Sequence, residues 1–166
     1  EITYTYVQGI KEGTTTALVG TITENGKETA YTYDGRGNIL EICTKALDTG
    51  KVTDHMLYTY NGMNQVIREE DAVRGTTYTY TYDLGGNLLE NKKYDQVNGV
   101  EELRGTDTYT YNSDWKDQLT SFNGKAITYD AMGNPLSYMG MSLTWEKGRQ
   151  LKTLKKSGTL SQYVYD

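Results

Sequence analysis

Polar and apolar positions alternate along this chain with a period of two, and the alternation stops and restarts at recurring places. Six stretches share one pattern: an apolar or tyrosine residue, a threonine, then an aromatic residue. They are Tyr31-Thr32-Tyr33, Tyr58-Thr59-Tyr60, Tyr80-Thr81-Tyr82, Tyr109-Thr110-Tyr111, Ile127-Thr128-Tyr129 and Leu143-Thr144-Trp145. Side chains of a strand point to opposite faces in turn, so each stretch reads as a β-strand with an aromatic face and a threonine face. A helical period of about 3.6 residues does not fit.

A turn with a stated chemistry follows each strand. Asp34, Asn61, Asp83, Asn112 and Asp130 stand directly after the aromatic residue, where a short polar side chain bonds forward to the backbone of its own turn. Gly37, Gly86 and Gly133, with Asn64 at the matching place, are the residue types that tolerate positive φ. Asn38, Asn87 and Asn134 come next in three of the units, while the units at Tyr60, Tyr111 and Trp145 end their turns in Gln65, Gln118 and Gln150. The two kinds alternate, which predicts a repeat of two hairpins. Arg149 replaces the Gly or Asn in the last unit, so that turn is expected to differ. The chain then resumes as a strand, with Leu40, Ile67, Leu89 and Leu136 aligned and Pro135 on the first residue of its strand.

Asn25-Gly26 and Asn123-Gly124 each separate two strand-like runs and predict tight two-residue hairpin loops. Longer connections, near 46–54 and 95–105, read as surface loops. The sum is fourteen or fifteen short strands in a meander with little or no helix. Units recur every 16 to 29 residues, so residues 1–166 read as one array without an internal boundary.

Composition changes this picture in two ways. Sixteen tyrosines stand against one phenylalanine, so any core is expected to be built from tyrosine bodies packing on one another along the sheet. The net charge of −5 argues against a nucleic-acid surface. The runs Glu69-Glu70-Asp71 and 152–156 read as solvated strand ends or loops. No apolar run reaches the length of a membrane span, and no secretory leader opens the chain.

The phrase Tyr-x-Tyr-Asp-x-x-Gly-Asn followed by Leu resembles the tyrosine–aspartate (YD) repeat of the rearrangement-hot-spot (RHS) family. It is carried by Tyr31, Tyr33, Asp34, Gly37, Asn38 and Leu40, by Tyr80, Tyr82, Asp83, Gly86, Asn87 and Leu89, and, with Ile127 for the first tyrosine, by Tyr129, Asp130, Gly133, Asn134 and Leu136. The units at Tyr58, Tyr60 and Asn61, at Tyr109, Tyr111 and Asn112, and at Trp145 look like degenerate copies. The resemblance implies an all-β array of antiparallel hairpins in a continuous curved or spiralling sheet, a segment of a shell wall. It implies a secreted or cell-surface bacterial protein whose shell encloses or presents a toxin-like cargo. It also implies, as an alternative, a carbohydrate-binding module that uses exposed tyrosines. The family's shell-closing segment, with its Asp-Pro-x-Gly-Leu-type cleavage site, has no counterpart here, nor has a toxin-like domain. The expectation is therefore a fragment of a longer repeat region, paired through its edge strands with neighbouring repeats or with another copy of itself.

Enzyme chemistry is not expected. Asp34, Asp83 and Asp130 occupy one turn position in successive units, and a turn role accounts for all three, whereas paired glycosidase carboxylates act as a single site. No metal or cofactor is expected: His55 is the only histidine, and no calcium-loop spacing is present. Cys43 stands alone and reads as a small apolar side chain.

Overall fold

The computed structural model describes all 166 residues. It contains strands and turns and no helix. In chain order the strands are β1 (Ile2–Gln8), β2 (Thr15–Glu24), β3 (Lys27–Tyr33), β4 (Ile39–Ala46), β5 (Val52–Tyr60), β6 (Val66–Asp71), β7 (Thr76–Tyr82), β8 (Leu88–Val97), β9 (Val100–Tyr111), β10 (Leu119–Phe122), β11 (Lys125–Ala126), β12 (Thr128–Tyr129), β13 (Pro135–Tyr138), β14 (Met141–Glu146), β15 (Gln150–Lys156) and β16 (Thr159–Gln162). Each hydrogen-bonds to its chain neighbours in an 11-stranded sheet, β1 to β11, and a 5-stranded sheet, β12 to β16. The fold is the all-β array of antiparallel hairpins expected from the alternation.

Sixteen strands are present where fourteen or fifteen were expected because one is split. Lys125–Tyr129 is a single strand in sequence pattern, but Ile127 leaves the ladder and divides it into β11 and β12. Ile127 is the one buried apolar side chain, 7% exposed. Its backbone N–H still bonds the Thr120 carbonyl at 2.8 Å.

The segment at 95–105 is not a loop. It is the β8–β9 hairpin, closed by Asn98 and Gly99 with φ of 52° and 79°. Those are the dihedral signs of the same two-residue loop seen at Asn25–Gly26 and Asn123–Gly124. The 46–54 connection likewise shrinks to a five-residue turn between Ala46 and Val52.

By contacts the chain divides into two compact units, residues 1–81 with 91–106, and residues 82–90 with 107–166. In the first unit, register sorts the side chains onto two faces. Tyr31 and Tyr33 lie opposite Ile42 and Ile39, and Tyr58 and Tyr60 opposite Glu69 and Val66. The other face carries Thr32 and Thr59, the cross-strand ion pair Lys45–Glu28 at 2.8 Å, the His55–Glu41 hydrogen bond at 2.7 Å, and Arg68, which pairs with Glu70 of its own strand at 3.1 Å and with Glu101 of β9. Thr77, wholly buried, donates to Glu101 at 3.0 Å on the same face.

Glu69-Glu70-Asp71 is thus not a solvated strand end. It is the end of β6, with Glu70 on Arg68 and Asp71, nearly buried, on Arg74 at 2.6 Å. In the second unit the aromatic face holds Tyr109 against Phe122 and Phe122 against Tyr138, with ring centroids 5.2 and 6.4 Å apart.

A β-bulge recurs at one place in the unit. The threonine and the aromatic residue are consecutive, yet their partners on the return strand are two apart: Thr32 and Tyr33 face Glu41 and Ile39, Thr59 and Tyr60 face Arg68 and Val66, and Thr128 and Tyr129 face Ser137 and Pro135. The pairs at Tyr111 and Trp145 skip Thr120 and Lys152 in the same way. Leu40, Ile67 and Leu136 are therefore the extra residues, and such bulges sharpen the local twist of a hairpin. Few side chains are buried: Ile127 alone among the apolar ones, with Asp71, Thr77 and Asn134 among the polar ones. The accessible surface is 11312 Å², against about 8,300 Å² for a compact monomer of this mass.

Candidate functional site

The repeated turn is the most closely specified place in the molecule. Asp34 Oδ1 accepts the backbone N–H groups of Arg36 at 2.9 Å and Asn38 at 2.8 Å, and Oδ2 accepts the Asn38 Nδ2 amide at 2.8 Å. Asp83 does the same with Gly85 and Asn87, and Asp130 with Met132 and Asn134, each bond between 2.8 and 2.9 Å. Gly37, Gly86 and Gly133 have φ of 88°, 91° and 81°, and Asn64 has 61°, as the turn requires. The side-chain bond from Asn, joined by the backbone donors, holds all three carboxyls below the usual aspartate range.

The other kind of turn keeps the geometry and inverts one bond. Asn61 Oδ1 accepts the N–H groups of Met63 and Gln65 at 2.9 and 3.0 Å, and its Nδ2 donates to Gln65 Oε1 at 2.7 Å. Asn112 donates to Gln118 Oε1 at 3.3 Å, and its Oδ1 serves Asp114 and Trp115 across the two-residue insertion. An aspartate start needs a donor partner and receives Asn; an asparagine start has a donor to place and meets the Gln oxygen. Trp145 is followed by Glu146, and positive φ falls on Lys147 and Gly148 (45° and 87°), so this turn does differ.

The alternation has a second consequence between turns. Asn38 Nδ2 also donates to Asn64 Oδ1 at 3.0 Å, Asn87 Nδ2 to the Lys116 carbonyl at 3.2 Å, and Asn134 Nδ2 to the Gly148 carbonyl at 2.6 Å. Each Asp–Asn turn therefore uses one amide N–H on itself and the other on the following turn. Arg36 reinforces the first link through the Gly62 carbonyl at 2.9 Å.

The aromatic residues make the third connection. Tyr60 OH donates to the Ile39 carbonyl at 2.8 Å, Tyr111 OH to Leu88 at 3.0 Å, Tyr129 OH to Leu119 at 2.6 Å, and Trp145 Nε1 to Pro135 at 2.7 Å. In each case the acceptor opens the return strand of the preceding unit. Tyr33 OH reaches Val19, inside β2, at 2.9 Å, and Tyr165 OH reaches Leu151, the second residue of β15, at 3.0 Å; these acceptors do not open their strands, but each is the ladder partner of the preceding aromatic residue, Tyr6 or Trp145. Burial raises the phenols of Tyr58, Tyr60, Tyr82, Tyr109, Tyr111 and Tyr129. Hydroxyl-to-carbonyl bonds thus join to the preceding hairpin those tyrosines that were expected to pack ring on ring.

Two features escaped sequence reading. Tyr4-Thr5-Tyr6 is a seventh copy of the strand pattern, on β1, with the Thr5 hydroxyl 2.8 Å from that of Thr21. Its longer connection to β2 hid it, although the aromatic-threonine-aromatic signal was present. Cys43 and His55, the only residues of their types, are directly paired across β4 and β5, and His55 Nε2 lies 2.7 Å from Glu41. Cys43 is half-buried. Strand register alone decides such a pairing.

This geometry, a hairpin array with the Tyr-Asp-x-x-Gly-Asn turn as its coupling device, relates the chain to the RHS/YD-repeat proteins. The chain is 32% identical, over 87% of its length, to the tRNA3(Ser)-specific nuclease WapA of Bacillus spizizenii (strain DSM 15029 / JCM 12233 / NBRC 101239 / NRRL B-23049 / TU-B-10). It is 32% identical over 64% of its length to the tRNA nuclease WapA of Bacillus subtilis (strain 168). It spans only 7% and 4% of those proteins. The fold also matches crystal structures of TcdB2-TccC3-TEV and TcdB2-TccC3. Their TM-scores are 0.60 and 0.57, over 96% and 82% of this chain and 10% of each of theirs, at 17% and 18% identity. No protein-family model matches the chain.

Proposed function

We propose that this chain is a non-catalytic stretch of RHS/YD-repeat wall in a secreted or cell-surface bacterial protein, helping to enclose or present a toxin-like cargo. The observation that carries this reading is the recurrent coupling of hairpins within each unit, in which aromatic donors reach the preceding hairpin and the Asn amides of the Asp–Asn turns reach the following one, in sheets that bury few side chains. Such an array gains its order from neighbours in line, as quasi-one-dimensional repeat proteins do. The repeated aspartates support the absence of catalysis, because the oxygens of each are occupied by donors of its own turn. The edge strands β1 and β16 would pair with neighbouring repeats or with a second copy, satisfying backbone groups that an open edge leaves bare.

The test is electron microscopy of the complete reading frame that contains this chain, with the chain's hairpins expected in the wall of a hollow shell. A full-length protein without an enclosed volume overturns the wall reading. tRNA cleavage by the 166-residue chain alone overturns the non-catalytic part. The rings left exposed at Tyr4, Tyr6 and Trp115 favour one rival, attachment to carbohydrate by aromatic stacking. Glycan binding that disappears in a Tyr4→Ala, Tyr6→Ala, Trp115→Ala variant of unchanged circular dichroism establishes the rival.

A further inference from the structure

The sequence contains four Asn-Gly steps: Asn25-Gly26, Asn61-Gly62, Asn98-Gly99 and Asn123-Gly124. In such a step the glycine nitrogen has no neighbouring Cβ to shield it. A Cβ built at any of the four glycines meets nothing within 4 Å, so crowding does not separate them. Hydrogen bonds do. Asn61 is held by three side-chain bonds, to Met63, Gln65 and the Gln65 side chain, at 2.7–3.0 Å. Asn123 Oδ1 accepts the Thr108 N–H and its Nδ2 donates to Asp107, both at 2.7 Å. Asn25 and Asn98 are exposed, and neither side chain is held by a bond of this kind. The loop at Asn25 is still anchored, because the Gly26 carbonyl accepts the Leu47 N–H at 2.8 Å. The loop at Asn98 has no such anchor, and the next residue, Val100, is 64% exposed.

We infer that Asn98 is the preferred site of spontaneous covalent modification in this chain, by deamidation through a cyclic imide. The Gly99 amide nitrogen gives its proton to solvent base and attacks Asn98 Cγ. The Cγ–Nδ2 bond breaks, and Nδ2 leaves as ammonia after taking up a proton from water. Water then opens the ring. Attack at Cγ yields aspartate, and attack at the Asn98 main-chain carbonyl yields isoaspartate; no electron acceptor or donor is involved. Ring closure requires the side chain to swing until Cγ meets the following nitrogen. A side chain clamped by two or three bonds must first release them all, so Asn61 and Asn123 react from a minor population. Isoaspartate would add a methylene to the main chain of a two-residue loop. Either product would add a negative charge to the loop. This inference is independent of the wall reading.

The test is incubation of the 166-residue chain in warm, mildly alkaline buffer, with peptide mapping by mass spectrometry that counts aspartate and isoaspartate at each of the four sites. Asn98 is expected to convert first, about tenfold or more ahead of Asn61 and Asn123, with Asn25 between. Equal rates at the four sites, or Asn61 or Asn123 leading, overturn the inference. The Asp107→Ala variant frees Asn123 Nδ2 and is expected to accelerate Asn123 several-fold while leaving Asn98 unchanged. An unchanged Asn123 rate shows that these bonds do not set the order, and overturns it as well.

Discussion

A carboxylate can only accept hydrogen bonds, while a side-chain amide both accepts and donates, and that difference separates the two kinds of turn. Asp34, Asp83 and Asp130 gather donors and are held below the usual aspartate range, first by the Asn side chain opposite each. The folded chain therefore binds fewer protons at these sites than the unfolded chain. The stability they contribute is fully present above the ordinary aspartate value of about 3.9 and is lost as pH falls through their lowered values. Denaturant titrations from about pH 6 down to about pH 2 should show the midpoint falling below pH 4. The Asp130→Asn variant should be less stable at neutral pH, with a shallower fall in acid; an equally steep fall would assign the acid sensitivity elsewhere. Replacing Tyr60 with Phe keeps the ring and removes the donor to the Ile39 carbonyl. Urea denaturation should register a loss of about 0.5–1.5 kcal/mol.

At the scale of the hairpin, the unit of cooperation is a pair of turns. Asn134 holds its own turn through Asp130 and the next through Gly148. The bonds of Gln65, by contrast, all run to Asn61 of its own turn. Amide hydrogen exchange should separate the two roles. Asn134→Ala is expected to deprotect residues 130–134 and 146–150 together, and Gln65→Ala only residues 61–65. Deprotection confined to one turn in both variants would remove the two-turn repeat. That repeat was legible as an alternation of Asp–Asn and Asn–Gln, because a turn's internal bonds join residues no more than six apart. Its cause was not, since Asn134 and Gly148 are fourteen residues apart and meet only when two hairpins lie side by side. The same holds for the bulges: Leu40 and Leu136 align as strand residues, yet each is the unpaired residue of its ladder. The β8–β9 hairpin is legible in the sequence, for Asn98-Gly99 carries the same two-residue loop signal as Asn25-Gly26 and Asn123-Gly124.

For the whole molecule the decisive fact is how little apolar surface the chain buries. A chain that buries one apolar side chain, and exposes Ile2, Tyr4 and Tyr6 on β1 and Leu160 on β16, has apolar surface and strand edges still to satisfy. Light scattering of the isolated chain should show association that grows with concentration. A strict monomer at high concentration would mean that the edges protect themselves. By itself the sequence determined the succession of hairpins, the place and chemistry of their turns, and the division of strands into aromatic and threonine faces. Those features rest on contacts within a few residues and on the period of two. Only the tertiary structure decided which carbonyl each tyrosine reaches, which turn each Asn reaches, where the ladder breaks at Ile127, and how Arg68, Glu70, Thr77 and Glu101 converge. Each depends on the register between strands far apart in sequence, and a local pattern of polar and apolar residues does not specify that register.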